Sequence, residues 1–106
     1  MTPLYYNNFV YVIRDGGIIS CFHSESGELL YQERLGVAGA YFSSPVAASG
    51  RIYIASRNGI VTVIEAGDHL NILAKNDLGD IITATPAVVD NKLYIRTARF
   101  LYAFGK

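Results

Sequence analysis

Three prolines, Pro3, Pro45 and Pro86, fall 42 and 41 residues apart, and three tyrosines, Tyr11, Tyr53 and Tyr94, keep the same two intervals. Around each tyrosine one phrase recurs: Phe9-Val10-Tyr11-Val12, then Arg51-Ile52-Tyr53-Ile54, then Lys92-Leu93-Tyr94-Ile95. A turn pair stands just before each phrase, Asn7-Asn8, Ser49-Gly50 and Asp90-Asn91. One unit is therefore written three times, over about residues 3–44, 45–85 and 86–106. A period of this length that carries short apolar strands is the signature of four-stranded propeller blades.

The repeat predicts eleven strands. The first unit gives Leu4 to Tyr6, Phe9 to Arg14, Ile18 to His23 and Leu29 to Arg34; the second gives Val46 to Ala48, Arg51 to Ser56, Ile60 to Glu65 and Leu70 to Asp77. The third gives Ala87 to Val89, Lys92 to Thr97 and Phe100 to Phe104. Gly16-Gly17 and Asn58-Gly59 supply positive φ between second and third strands, as tight hairpins require, and Ser26-Gly27 and Ala66-Gly67 are expected to do so between third and fourth. The prolines open each first strand, where a missing N–H is tolerated. Runs such as Val10-Tyr11-Val12-Ile13 and Ile60-Val61-Thr62-Val63-Ile64 are apolar without alternation, which calls for sheets covered on both faces. Stacked blades meet that condition. A parallel sheet with crossover helices does not fit, because the gaps between strands are too short. A plain sandwich would explain the apolar strands but not the repeat.

Nine Lys and Arg against nine Asp and Glu leave no overall field to gather nucleic acid or a membrane surface. Eight tyrosines and five phenylalanines suit strands rather than helices. A chain of 106 residues can bury roughly 65% of its unfolded surface, enough for one small domain. No apolar run approaches the length of a membrane span, and Met1-Thr2-Pro3, with no basic region followed by an apolar stretch, gives no expectation of a targeting signal. Cys21 is the single cysteine, which excludes an internal disulfide and a cysteine-paired metal site.

The phrases Gly59-Ile60-Val61-Thr62-Val63-Ile64-Glu65, Phe100-Leu101-Tyr102-Ala103-Phe104 and Ser26-Gly27-Glu28-Leu29-Leu30-Tyr31 resemble bacterial pyrroloquinoline-quinone-like (PQQ-like) propeller repeats. In that family a blade reads as a glycine, a valine-tyrosine-alanine-leucine strand, a threonine-glycine turn and a tryptophan. The resemblance spans the whole chain and implies an all-β propeller segment in an extracytoplasmic, periplasmic setting. It departs at the tryptophan: the chain has none, and Tyr31 and Asn71 stand four residues after Gly27 and Gly67 in its place. The resemblance also implies, for true quinoproteins, a quinone held with calcium, acidic ligands, a stacked tryptophan and a vicinal disulfide. No such set can be placed here, so the expectation is no cofactor and no enzyme. Relatives with these repeats include the lipoprotein scaffold of outer-membrane assembly and sensor domains attached to kinases.

Other chemical groups point the same way. Asn76-Asp77-Leu78-Gly79-Asp80 reads as a strand end and a polar turn, whereas calcium asks for six to eight oxygens. His23 and His69 belong to different units and lie near turns, with no directed partners for zinc. Cys21 aligns with Val63 and reads as a small buried hydrophobe. The residues left for binding a partner are Arg14, Arg57 and Arg99, expected at the hairpins joining second and third strands, and Tyr41 and Phe42, expected as an exposed pair on a connector opening onto the same end. Arginine and aromatic residues together are the composition of interface centres; the plain alternative is ordinary surface, with Arg14 beside Asp15 and the aromatics packed under the loop.

About two and three-quarter blades do not close a ring of four to eight. The expectation is an incomplete propeller whose end faces, with Val10, Val12, Val88 and Ile95, are covered by further blades of a larger protein or by a second copy. As a whole, the chain reads as a non-catalytic binding or scaffold module with a protein partner or self-association. A degenerate quinoprotein dehydrogenase and a ligand-sensing domain of a signalling protein are the alternatives.

Overall fold

The computed structural model describes residues 2–82, 84–90 and 92–104; Met1, Thr83, Asn91 of the third turn pair, and the end of the third unit at 105–106 lie outside them. Among the described residues eleven strands form three antiparallel sheets in chain order. The first holds β1 (Leu4–Tyr6), β2 (Phe9–Arg14), β3 (Ile18–His23) and β4 (Leu29–Arg34), and the second β5 (Val46–Ala48), β6 (Arg51–Ala55), β7 (Ile60–Glu65) and β8 (Ile72–Asp77). The third holds β9 (Ala87–Val89), β10 (Lys92–Arg96) and β11 (Leu101–Phe104), in the order β11-β10-β9. This is the meander that the repeat predicts, with strand ends shifted by one or two residues. The tyrosines are equivalent in register: Tyr11 opposes Leu4 and Cys21, Tyr53 opposes Val46 and Val63, and Tyr94 opposes Ala87 and Ala103.

The first hairpin of each sheet turns on left-handed residues, Asn7 and Asn8 (φ 51° and 71°), Ser49 and Gly50 (53° and 79°), and Asp90 (51°). Paired positive φ gives the turn whose twist matches the flanking strands, and Asn, Asp and Gly tolerate it best. Gly27 follows the expectation at φ 74°, but Gly67 does not adopt positive φ. The second third-to-fourth turn differs because it is one residue longer: Phe22 opposes Leu29, whereas Ile64 opposes Ile72. By register Tyr31 therefore corresponds to Ala74 (opposite Cys21 and Val63), not to Asn71 as glycine spacing suggests.

Two cores lie between the three sheets. Tyr11, Ile13, Ile19, Cys21 and Tyr31 of the first sheet meet Ile52, Ile54 and Ile64 of the second; Ala55 and Val61 of the second meet Leu93 and Ile95 of the third. The middle sheet is covered on both sides, which is why β6 and β7 are apolar on both faces. Ile95 is fully buried, correcting its expected place on an open end face: it points back toward the second sheet. Val10 and Val12 are half-buried, and Val88 is exposed.

The sheets are stitched by repeated hydrogen bonds. At the inner strands, the residue before each proline carries a hydroxyl: Thr2 N–H donates to Ser44 Oγ (2.9 Å), and Ser44 N–H donates to Thr85 Oγ1 (3.0 Å). Elsewhere, tyrosines of the first sheet accept from turns of the second, Tyr6 Oη from Gly50 N–H (2.9 Å) and Tyr11 Oη from Gly67 N–H (3.0 Å). A tyrosine in this position supplies both apolar area and a polar tip for an otherwise orphaned turn N–H.

Candidate functional site

The connectors 35–44 and 78–85 and the three second-to-third-strand hairpins meet at one end of the fan. The first two hairpins are each clamped to the connector that follows in their own unit, Leu35 N–H to Gly17 O (2.7 Å) and Leu78 N–H to Gly59 O (2.8 Å). The next hairpin then grips the same connector, Arg57 N–H to Ala40 O and Ala98 N–H to Ile81 O, both 2.9 Å. Gly17 and Gly59 make this possible: both have positive φ, and a Cβ on either would overlap a connector carbonyl, Val37 O or Asp80 O.

This lattice decides which connector residues face out. Tyr41 and Ile82 occupy equivalent places and are both buried plugs. Tyr41 is therefore not part of an exposed pair: its N–H donates to Asp15 Oδ1 (2.9 Å) and its hydroxyl to Val37 O (2.6 Å). Burial pushes its phenol up to about 12. Phe42, the next residue, turns outward and is 54% exposed.

Of the arginines, Arg57 lies over the Phe42 ring, 5.9 Å from its centroid. Arg99 lies over Phe100 at 5.5 Å, and Phe100 is also 54% exposed. A guanidinium over an aromatic face is worth about 0.5–1 kcal/mol at an exposed site and keeps both groups presented. Arg14 is the last residue of β2 rather than part of the turn, and it stands exposed outside both pairs. Asp80 anchors the third hairpin, accepting from Thr97 Oγ1 (2.9 Å), Arg99 N–H (2.9 Å) and Ile81 N–H (3.0 Å), with Arg99 Nε at 3.4 Å. Desolvation opposes its charge, but these donors outweigh it and hold the carboxyl below its usual range. A shallow cleft of about 230 Å³ lies beside it, lined by Ile81, Ala84, Arg96, Thr97 and Ala98. Phe100, Ile81 and Asp80 carry much of this end, and sequence reasoning missed them as site residues. The signal lay in the third hairpin: Tyr94 opposes a residue nine positions on, against ten for Tyr11 and Tyr53, so the third turn lacks their glycine and presents Phe100.

Among the described residues no three His, Cys, Asp or Glu side chains group closely enough to hold a metal ion. Among the described residues His69 Nδ1 meets its neighbour Asp68 Oδ1 (3.0 Å), both well exposed. Cys21 is buried, its Sγ 3.7 Å from Gly67 O, and burial pushes its thiol up to about 11, away from a nucleophilic thiolate. Among the described residues no helix is long and apolar enough to cross a membrane.

No protein-family model and no curated protein matches the chain. Solved structures do. BamB from Moraxella catarrhalis superposes with a TM-score of 0.80 at 17% identity, covering 96% of this chain and 30% of that one. The quinohemoprotein alcohol dehydrogenase ADHIIG from Pseudomonas putida HK5 superposes with a TM-score of 0.75 at 16% identity, covering 98% of this chain and 18% of that one. The chain thus spans less than a third of either structure. Three successive meanders, two interleaved cores and these superpositions together show the PQQ-like β-propeller repeat fold, as an unclosed run of blades.

Proposed function

We propose that the chain is a non-catalytic binding module that holds a protein partner at the hairpin end of its blades. The observation that carries this reading is the pairing of outward-facing aromatics with guanidinium groups, Phe42 with Arg57 and Phe100 with Arg99, beside Ile81, itself 40% exposed. Exposed Phe and Ile cost solubility with no return in the fold, whereas Arg and aromatic residues dominate interface energies. The partner surface would be apolar at its centre and acidic at its edge. The likeness to BamB supports a scaffold role by analogy of fold. A dehydrogenase reading gains nothing from the likeness to ADHIIG, because at 16% identity that likeness is one of fold.

A photo-crosslinking side chain placed at Phe42 is the direct test, with one at Ser26 on the third-to-fourth turn as control. The expected result in extracts of the source cell is a discrete adduct from position 42, abolished by Arg57→Glu and absent from position 26. Equal labelling from both positions would refute the assignment of the hairpin end. Separately, a saturable calcium-dependent signal on titration with pyrroloquinoline quinone would refute the non-catalytic reading.

A further inference from the structure

The third hairpin binds a carboxylate that the chain itself supplies. Asp80, on the connector, accepts through Oδ2 from the Thr97 hydroxyl (2.9 Å) and Arg99 N–H (2.9 Å), with Arg99 Nε at 3.4 Å, and through Oδ1 from Ile81 N–H (3.0 Å). Against desolvation, these donors hold the carboxyl below its usual range, so they favour the ionised form. The second hairpin follows the same plan. Arg57 N–H donates to Ala40 O as Ala98 N–H does to Ile81 O, which makes Ala40 the counterpart of Ile81, Asn58 of Arg99 and Gly39 of Asp80. Ser56 Oγ accepts from Ile60 N–H (3.2 Å) as Thr97 Oγ1 does from Phe100 N–H (3.0 Å), so the two hydroxyls hold the same place. The acid is where the copies part. Five positions separate Leu35 from Ala40, against three between Leu78 and Ile81, and the longer connector divides between Val37 and Gly39 the places that Asp80 holds alone. Gly39 brings no side chain, and the Asn58 amide nitrogen lies 3.3 Å from where its Cβ would stand, the counterpart of Arg99 Nε. Among the described residues, Ala40 N–H and Asn58 N–H donate to no acceptor, and the Ser56 hydroxyl accepts without donating. Ser56 is buried, whereas Gly39 and Asn58 are exposed, so these donors are reached from outside past Gly39.

We propose that the second hairpin is a carboxylate-binding site, in which an aspartate side chain of the protein partner takes the place that Asp80 takes on the third. One oxygen accepts from the Ser56 hydroxyl and Asn58 N–H, and the other from Ala40 N–H, with the Asn58 side-chain amide closing over the pair. Hydrogen bonds to an ionised acceptor are the strong ones, and three converging donors fix its position. The inference rests on the hairpin end being the partner's surface, and it names what the partner brings there. Arg57, between Ser56 and Asn58, stacks on the exposed Phe42 ring, so an apolar residue beside the partner's aspartate meets Phe42 while the carboxylate enters past Gly39. A side-chain carboxylate is the choice because the occupant of the third hairpin is one.

The probe is N-acetyl-aspartate methylamide, titrated at constant ionic strength into the isotope-labelled full chain and followed by amide NMR. The signals of Ala40 and Asn58 should move downfield and saturate, while those of Ile81 and Arg99, already bonded to Asp80, stay in place. Asn58→Arg, which copies the third hairpin at an exposed position, should tighten binding about fivefold, the worth of one further hydrogen bond. The asparagine form of the probe, alike in shape but uncharged, should move none of the four signals. N-acetyl-alanine, whose carboxylate is a chain terminus, should bind more weakly, and equal or tighter binding would overturn the choice of an aspartate. Arg57→Ala should leave the Ala40 and Asn58 responses in place, since their donors are backbone. Silence of these two signals in the folded chain, equal movement of Ile81 and Arg99, or an equal response to the uncharged probe would overturn the proposal. An adduct from position 42 would survive any of those results, so this site and the hairpin-end reading fail separately.

Discussion

Gly16 and Gly17 are adjacent, share positive φ (90° and 78°), and should respond very differently to alanine. A Cβ at Gly16 meets nothing within 4 Å, so Gly16→Ala bears only the cost of a left-handed alanine, about 1 kcal/mol. At Gly17 the same strain is joined by overlap with the Val37 carbonyl and by approach to Tyr41 Oη at 3.1 Å. The connector must move, putting at risk the bonds from Leu35 N–H to Gly17 O and from Tyr41 Oη to Val37 O, and loosening a buried tyrosine. At about 1 kcal/mol for each bond and about as much again for packing, Gly17→Ala should cost roughly 3–4 kcal/mol. A domain of this size holds only about 5–15 kcal/mol in all. Urea unfolding followed by tyrosine fluorescence reads the difference: with a slope of about 1–3 kcal/mol per M, the Gly17→Ala midpoint should fall about three times as far as that of Gly16→Ala. Gly59→Ala should match Gly17→Ala, because the Asp80 carbonyl holds the same place. Equal midpoint shifts for Gly16→Ala and Gly17→Ala would refute the close-approach argument and leave backbone strain as the whole effect.

Alkaline pH should unfold the chain through its buried acids. Burial raises Tyr11 from the ordinary 10.0 to about 12, Tyr41 to about 12 and Cys21 from 9.0 to about 11. The unfolded chain releases these protons first, so the stability they confer is whole below about pH 9 and is lost as pH rises toward 12. The melting temperature should accordingly fall steeply between pH 9 and 11, and a flat profile there would contradict desolvation of these groups. Tyr31→Phe and Tyr11→Phe should diverge in sign: Tyr31 Oη is buried without a hydrogen-bond partner among the described residues, whereas Tyr11 Oη accepts from Gly67. Removing the first hydroxyl should be neutral or stabilising by about 1 kcal/mol, and removing the second should destabilise by about 1–2 kcal/mol; thermal melts of the two variants decide it.

The strands were legible because their signals are local. Apolar runs bounded by Asn, Gly and Ser fix where pairing stops, and a period written three times averages out errors at single ends, so the eleven strands emerged within one or two residues. Connectors are another matter. Whether Tyr41 or Phe42 faces inward depends on Arg57 N–H finding Ala40 O across a gap of 17 residues, and nothing in the local sequence records that bond. The equivalence of Tyr31 and Ala74 is hidden for a similar reason: the turn glycines are not in equivalent places, since the longer second turn puts Gly67 elsewhere, without positive φ.

Positions that repeat faithfully serve the fold, and the candidate sites lie where the copies diverge. Arg57 and Ala98 make the same backbone bond to equivalent connectors, yet only Arg57 projects a guanidinium onto a connector aromatic, Phe42. Tyr31 and Ala74 hold the same register, yet only Tyr31 fills the space beside its core tyrosine. Gly17 and Gly59 admit their connectors, while the corresponding turn of the third sheet, one residue shorter, brings Phe100 to the surface under Arg99. In each pair the backbone role is kept and the side chain is released from it. Phe42 and Phe100 are such side chains, large, apolar and exposed, and they are the ones that the proposed partner would cover.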